Sequence, residues 1–181
     1  LSLAAIGDPA DRAVVVVCSI QGDQAGTRDR VMDLAEHFER YTGDVPSGTA
    51  LYFIPTLNPD GNAANSRYNA QDVDLNRNWD TADWRSNAAV PGYPEGKPGA
   101  GGDTPFSEPE TSAAANFLYA LSTRTDEVYV ALFHSSVRRT TGEVYPGGRD
   151  SEEAAYRYAG TAGYDVEDAW AEYTTSGEMV T

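Results

Sequence analysis

Two rhythms of apolar and polar positions run along the chain. Residues 13–20 form an apolar, largely β-branched run, the pattern of a strand covered on both faces within a parallel sheet. Residues 1–6 predict another strand, closed by a turn at Gly7, Asp8 and Pro9. After a loop over 21–26 the period lengthens: Val31, Leu34, Ala35 and Phe38 fall at i, i+3, i+4 and i+7. That spacing predicts an amphipathic helix over 28–41, with Thr27 as its N-cap and Gly43 as its stop. A strand over 49–55 follows. Ser107 and Glu110 have the spacing of a capping box and open a helix that turns Ala114, Phe117, Leu118 and Leu121 inward. A buried strand over 128–133 ends at His134, and Ser151 caps a short helix that runs to about Ala162 and stops at Gly163.

Strands alternating with helices predict an α/β domain, a three-layer sandwich with a mixed, largely parallel sheet and helices on both faces. The 181 residues, 40% of them hydrophobic, suit a single domain over 1–181 with a proper core. Gln21, Gln24, the stretch after residue 55 and His134 all fall just beyond strand C-termini. Ligands bind there in open α/β sheets, so these separate stretches converge on one edge.

The stretch from Ile54 to Asp80 departs from both rhythms. It breaks at Asn58-Pro59-Asp60-Gly61 and stays polar for about twenty residues, which suits a surface loop or a binding site. Asn58, Arg67, Asp74, Asn76, Arg77 and Asn78 make the second more apt, because forked donors and fixed amides grip a carboxylate. Residues 80–105, rich in Gly, Pro, Asn and Asp, predict a long ordered loop over the mouth of that site.

At this point the residues resemble a known family. Asn58-Pro59-Asp60-Gly61, then Arg67, then the run from Asp74 to Trp79 look like the signature of the zinc metallocarboxypeptidases of the funnelin type. Ser19-Ile20-Gln21-Gly22-Asp23-Gln24 stands where that family has a His-x-x-Glu metal motif. Phe106 to Thr111, Phe133-His134-Ser135, and Tyr173 ahead of Ser176-Gly177 match in order, so the resemblance covers nearly the whole chain. It implies that Asn76 and Arg77 hold the terminal carboxylate of a peptide, that Arg67 polarises the scissile carbonyl, and that Tyr173 closes over the substrate.

The resemblance also implies zinc, held at positions that here are Gln21, Gln24 and His134. Only the histidine is a good ligand. A glutamine amide is neutral and offers a carbonyl oxygen, so a full negative charge and a nitrogen donor are lost opposite a dication. Asp23 would have to swing in to replace either. Little or no hydrolysis is therefore expected, whether the two glutamines are a natural loss or a deliberate silencing. The alternatives are a non-catalytic peptide-binding relative and a purely structural domain. The family's general base is a glutamate on a strand after the segment resembling 173–177; the sequence ends at Thr181, so an incomplete chain, or a further segment from another chain, is expected. Glu178 comes too early in the motif and reads as a solvated loop carboxylate.

The short span from Gly61 to Asp74 is more similar to the compact bacterial members that trim peptidoglycan peptides at γ-D-glutamyl-diaminopimelate bonds, with a general peptide carboxypeptidase as the competitor. The expected partner is a peptide or peptidoglycan peptide with a free carboxylate. Composition then narrows the field. With 28 acidic against 13 basic residues, nucleic acid is not expected as a partner, and the acidic surface reads mainly as solubilising. Cys18 is the only cysteine, so no intrachain disulfide can form, and its place in an apolar strand predicts a buried side chain. His37 reads as a surface histidine. No run approaches the roughly 18 apolar residues of a membrane span. The first residues lack a basic leader, which suggests a mature or trimmed form; the resemblance favours a secreted or periplasmic location.

Overall fold

The computed structural model describes residues 3–7, 11–135, 142–167 and 175–179. Tyr173 lies outside the described residues, as do residues 1–2 of the first predicted strand. A four-stranded sheet forms from β1 (Ala4–Gly7), β2 (Arg12–Cys18), β3 (Thr49–Ile54) and β4 (Glu127–Phe133), in the order β1-β3-β2-β4. β2 runs parallel to both its neighbours and β1 is antiparallel to β3, so the sheet is mixed and largely parallel, as the alternating elements predict.

Register explains how β2 can be apolar from Ala13 to Cys18. Val15 lies opposite Tyr52 and Val130, and Val17 opposite Ile54 and Leu132. Those side chains share a core with Ala114 and Leu121 of α3 (Pro109–Ser122). The intervening residues Val14, Val16 and Cys18 point the other way and pack with Val31, Ala35 and Phe38 of α1 (Ala25–Arg40). Each face of the sheet thus packs against a helix. Burial pushes the Cys18 thiol up to about 12, which suits a packing role.

Several boundaries differ from the sequence expectation. α1 starts at Ala25, and Thr27 makes no N-cap; its Oγ1 instead donates to the Gln24 carbonyl at 2.9 Å. Leu34, placed on the buried stripe by spacing, is exposed. The capping box at Ser107 and Glu110 does not form: Glu108 is the N-cap residue of α3, without a side-chain cap bond, and Ser107 Oγ donates to Glu108 Oε1. Ser151 belongs to a 3-10 turn (Arg149–Ser151) ahead of α4 (Glu152–Ala162), which does stop at Gly163 in a left-handed conformation. Two short parallel strands, β5 (Glu143–Val144) and β6 (Asp165–Val166), pair apart from the main sheet. Residues 80–105 form a loop without helices or paired strands beyond a bridge between Val90 and Tyr93. Ala88, Val90 and Ala100 give it a small core of its own.

A short helix, like β5 and β6, was not foreseen. α2 (Pro59–Ala64) follows β3 directly, with Asn58 Oδ1 accepting from Gly61 N at 2.8 Å and Pro59 in the first turn. An asparagine cap followed by proline is a helix start signal.

Candidate functional site

β2 ends in a reversal. Ser19 takes a left-handed φ of +46°, unusual for a residue with a side chain, and the stretch after β3 docks on it through Leu57 N to Cys18 O and Asn58 N to Ser19 O, both 3.1 Å. The turn carries Gln21 and Gln24 back over the strand ends. Gly22 makes this possible: a Cβ there would lie 2.0 Å from the Gly61 carbonyl carbon.

Gln21, Gln24 and His134, the three positions expected at the metal, do come together. Gln24 Nε2 donates to Gln21 Oε1 at 2.6 Å, and Gln24 Oε1 sits 3.2 Å from His134 Nδ1 and 3.3 Å from Ser135 N. Because Ser135 N can only donate, Gln24 turns its oxygen to that side, and His134 carries its proton on Nδ1. His134 reaches solvent but is otherwise ringed by protein. Desolvation, then the Arg67 cation, bring its pKa down to about 4, so the ring is neutral at pH 7. Arg77 also lowers it and Asp74 raises it, which puts all three charges within electrostatic reach of the imidazole.

The donor set does not fit a catalytic zinc ion. Two of the three positions are neutral amides whose carbonyl oxygens already accept hydrogen bonds from within the trio and from Ser135, and zinc sites draw on imidazole, thiolate and carboxylate. Among the described residues no group of three or more His, Cys, Asp or Glu could hold a metal ion.

The central polar stretch divides into two kinds of residue. Asp74, fully buried, is a hub. Its Oδ2 accepts from Arg67 Nε at 2.7 Å, and its Oδ1 accepts from Asn76 N at 3.0 Å, starting the 3-10 turn Leu75–Arg77. Asn76 and Arg77 leave that turn side by side and both donate to the Glu178 carboxylate: Asn76 Nδ2 at 3.3 Å and Arg77 Nη1 at 2.9 Å. Glu178 is therefore not the solvated loop carboxylate that its sequence suggests. Arg77 also donates through Nε to the Ala89 carbonyl and through Nη1 to that of Asn76, which explains how a guanidinium can be 2% exposed.

Asn58 and Asn78 belong to the other kind. Asn58 aims inward, capping α2 and donating to the Ile20 and Arg67 carbonyls. Asn78 Nδ2 donates to Gly101 O, Thr104 O and Ser107 Oγ, while its Oδ1 accepts from Glu108 N and Thr111 Oγ1. Both amides are wholly buried, so they brace the site and do not grip a ligand.

A cluster of polar residues thus gathers beyond the C-terminal ends of β2, β3 and β4. The zinc carboxypeptidase family model matches residues 3–175. The chain belongs to that family. Murein peptide amidase A of Escherichia coli K12 is 33% identical over 94 residues, which is 49% of this chain and 37% of the relative; the chain thus matches well under half the length of that curated relative. Among solved structures, murein-tripeptide amidase from E. coli O157 superposes with a TM-score of 0.67 at 20% identity, covering 96% of this chain and 67% of that one. Bovine thrombin-activatable fibrinolysis inhibitor gives 0.73 at 19%, covering 98% and 68%, and carboxypeptidase A of Helicoverpa armigera 0.75 at 18%, covering 98% and 51%. At such identities the structures establish the shared α/β fold of this family member. Among the described residues, no helix is long and apolar enough to cross a membrane.

Proposed function

We propose that this zinc carboxypeptidase relative recognises peptides through a free terminal carboxylate, and that its own hydrolytic step is impaired. In this reading Asn76 and Arg77 bind the carboxylate, Arg67, oriented by Asp74, donates to the adjacent peptide carbonyl, and Tyr173 closes over the bound chain. The observation that carries the proposal is a contrast between two neighbouring groups of polar residues. At Gln21, Gln24 and His134 the donors are spent on one another, whereas Asn76 and Arg77 already hold a carboxylate, that of Glu178. A guanidinium fork with a neighbouring amide donor suits that group specifically.

The ligand class we propose is a peptidoglycan peptide, supported by the similarity to murein peptide amidases. A secreted or periplasmic location would suit it. A competing reading, an active zinc hydrolase, draws its support from the family alone.

Two measurements on one sample separate them. Zinc per chain is determined after dialysis against trace zinc, with chelator-treated protein as the blank, and a murein tripeptide is then titrated by calorimetry alongside its C-terminally amidated form. Zinc near zero, no hydrolysis, and binding of the free carboxylate only are expected. One zinc per chain with release of product would establish the hydrolase, and equal binding of both peptides would sink the carboxylate reading.

A further inference from the structure

We propose that Glu178 is the resident anion of the Asn76 and Arg77 carboxylate site, supplied by the protein's own chain and displaced by the terminal carboxylate of an incoming peptide. The inference rests on the carboxylate-binding reading above and adds the occupant that a ligand must evict.

Glu178 Oε1 accepts from both residues, at 3.3 Å from Asn76 Nδ2 and 2.9 Å from Arg77 Nη1, and it has the chemistry of a peptide C-terminus. The guanidinium side chain is 2% exposed while that of Glu178 is 23% exposed. The carboxylate thus bridges the buried cation and solvent.

Its backbone is pinned on both sides. Gly177 O accepts from Trp79 N at 3.1 Å, Gly177 N donates to Asp83 Oδ1 at 3.3 Å, and Met179 N donates to Asn76 Oδ1 at 3.1 Å. Gly177 has φ +65°, and a Cβ there would lie 2.5 Å from the Arg77 carbonyl oxygen. Rotation of the Glu178 side chain alone can therefore vacate the site while the strap stays docked. A carboxylate that leaves Arg77 gives up a charge-assisted hydrogen bond, and an incoming carboxylate can replace it, so one exchanges for the other. A tethered competitor acts at an effective concentration on the order of millimolar or above, and peptide affinity is lowered accordingly.

The test is calorimetric titration of a short peptide and its C-terminally amidated twin into wild type, Glu178→Gln, Glu178→Ala and Arg77→Met, with thermal melts to verify folding. Removing the resident charge is expected to tighten binding of the free-carboxylate peptide by about tenfold or more, the gain expected when a tethered competitor is removed. The amidated twin should be unaffected, and Arg77→Met should erase the difference between the two peptides. If either Glu178 variant proves unfolded, Glu178→Asp, which keeps the charge and shortens the reach, should give a smaller gain of the same sign. Unchanged or weaker binding in the folded Glu178 variants, with the preference for a free carboxylate intact, would reduce Glu178 to a structural ion pair and leave the carboxylate site standing. Absence of that preference in every protein would overturn the site and this inference together.

Discussion

Arg67 Nε lies 2.7 Å from an Asp74 carboxylate whose side chain has no exposed surface, while Arg67 itself is 15% exposed. The acid is sunk beneath the base, and its second oxygen starts the turn that presents Asn76 and Arg77. Asp74→Asn keeps the shape and removes the charge. It should lower stability by about 3 kcal/mol, the scale for breaking a buried ion pair, and should weaken carboxylate-peptide binding more than the urea midpoint alone predicts. Urea unfolding and calorimetry on the same sample would check both.

Asn78 is expected to be the most costly of the central amides to truncate. Asn78→Ala strands the buried Glu108 N and takes one hydrogen bond each from the Gly101 and Thr104 carbonyls, which keep Trp84 Nε1 and Ser107 N as donors; an unpaired buried group costs about 1–3 kcal/mol. Asn78→Asp should be at least as harmful, because a second carboxylate oxygen would face those two carbonyls where Nδ2 now donates. A melting series of wild type, Ala and Asp variants would reveal a smaller loss in Asp if the amide nitrogen were unimportant.

Gly22→Ala should displace the Gln21–Gln24 turn, since the new methyl meets the Gly61 backbone at 2.0 Å and no flexible side chain can yield. A loss of about 1–3 kcal/mol is expected, in the range for overpacking. Proton spectra should place the largest shifts at His134 and Ser135, which Gln24 holds from that turn.

His134 gives the acid side of the stability profile a definite sign. Its folded pKa of about 4 lies below the ordinary value of 6.5, so below pH 6.5 the unfolded chain takes up a proton that the folded chain refuses. The residue should contribute nothing at pH 7 and above, then a growing penalty down to pH 4. Relative to His134→Gln, wild type should lose stability across that window and hold level above it. An imidazole titration by NMR with its midpoint near 6.5 would refute the account.

The strands and the sheet-covering helices were legible because their signal is local: β2 is apolar from Ala13 to Cys18, and Val31, Ala35 and Phe38 recur at helical spacing. Gln21, Gln24 and His134 could be expected together because each falls just beyond a strand C-terminus, and the family resemblance pointed to the same three residues. What local pattern could not supply was direction. Asn58 and Asn78 look like donors awaiting a ligand, yet both are consumed by carbonyls and caps contributed from elsewhere in the chain. α2 was hidden because only Gly61 of its six residues is buried, so it lacks an apolar stripe, and the Asn58-Pro59 start signal was the one clue. Glu178 was unreadable in principle, since its partners lie 101 and 102 residues away.

That separation has a temporal meaning. Every hydrogen bond that docks Gly177, Glu178 and Met179 closes a loop of roughly a hundred residues, and contacts of that span gain nothing until the intervening chain is ordered. The strap must therefore settle onto a stretch over 76–83 that is already ordered, and it can lift from that stretch without dissolving it. Its amides should exchange with solvent through a local opening cheaper than global unfolding, with Met179 N reporting each time Asn76 lets go. The segment around Glu178 is in this sense the last part of the molecule to be assembled and the first to come apart.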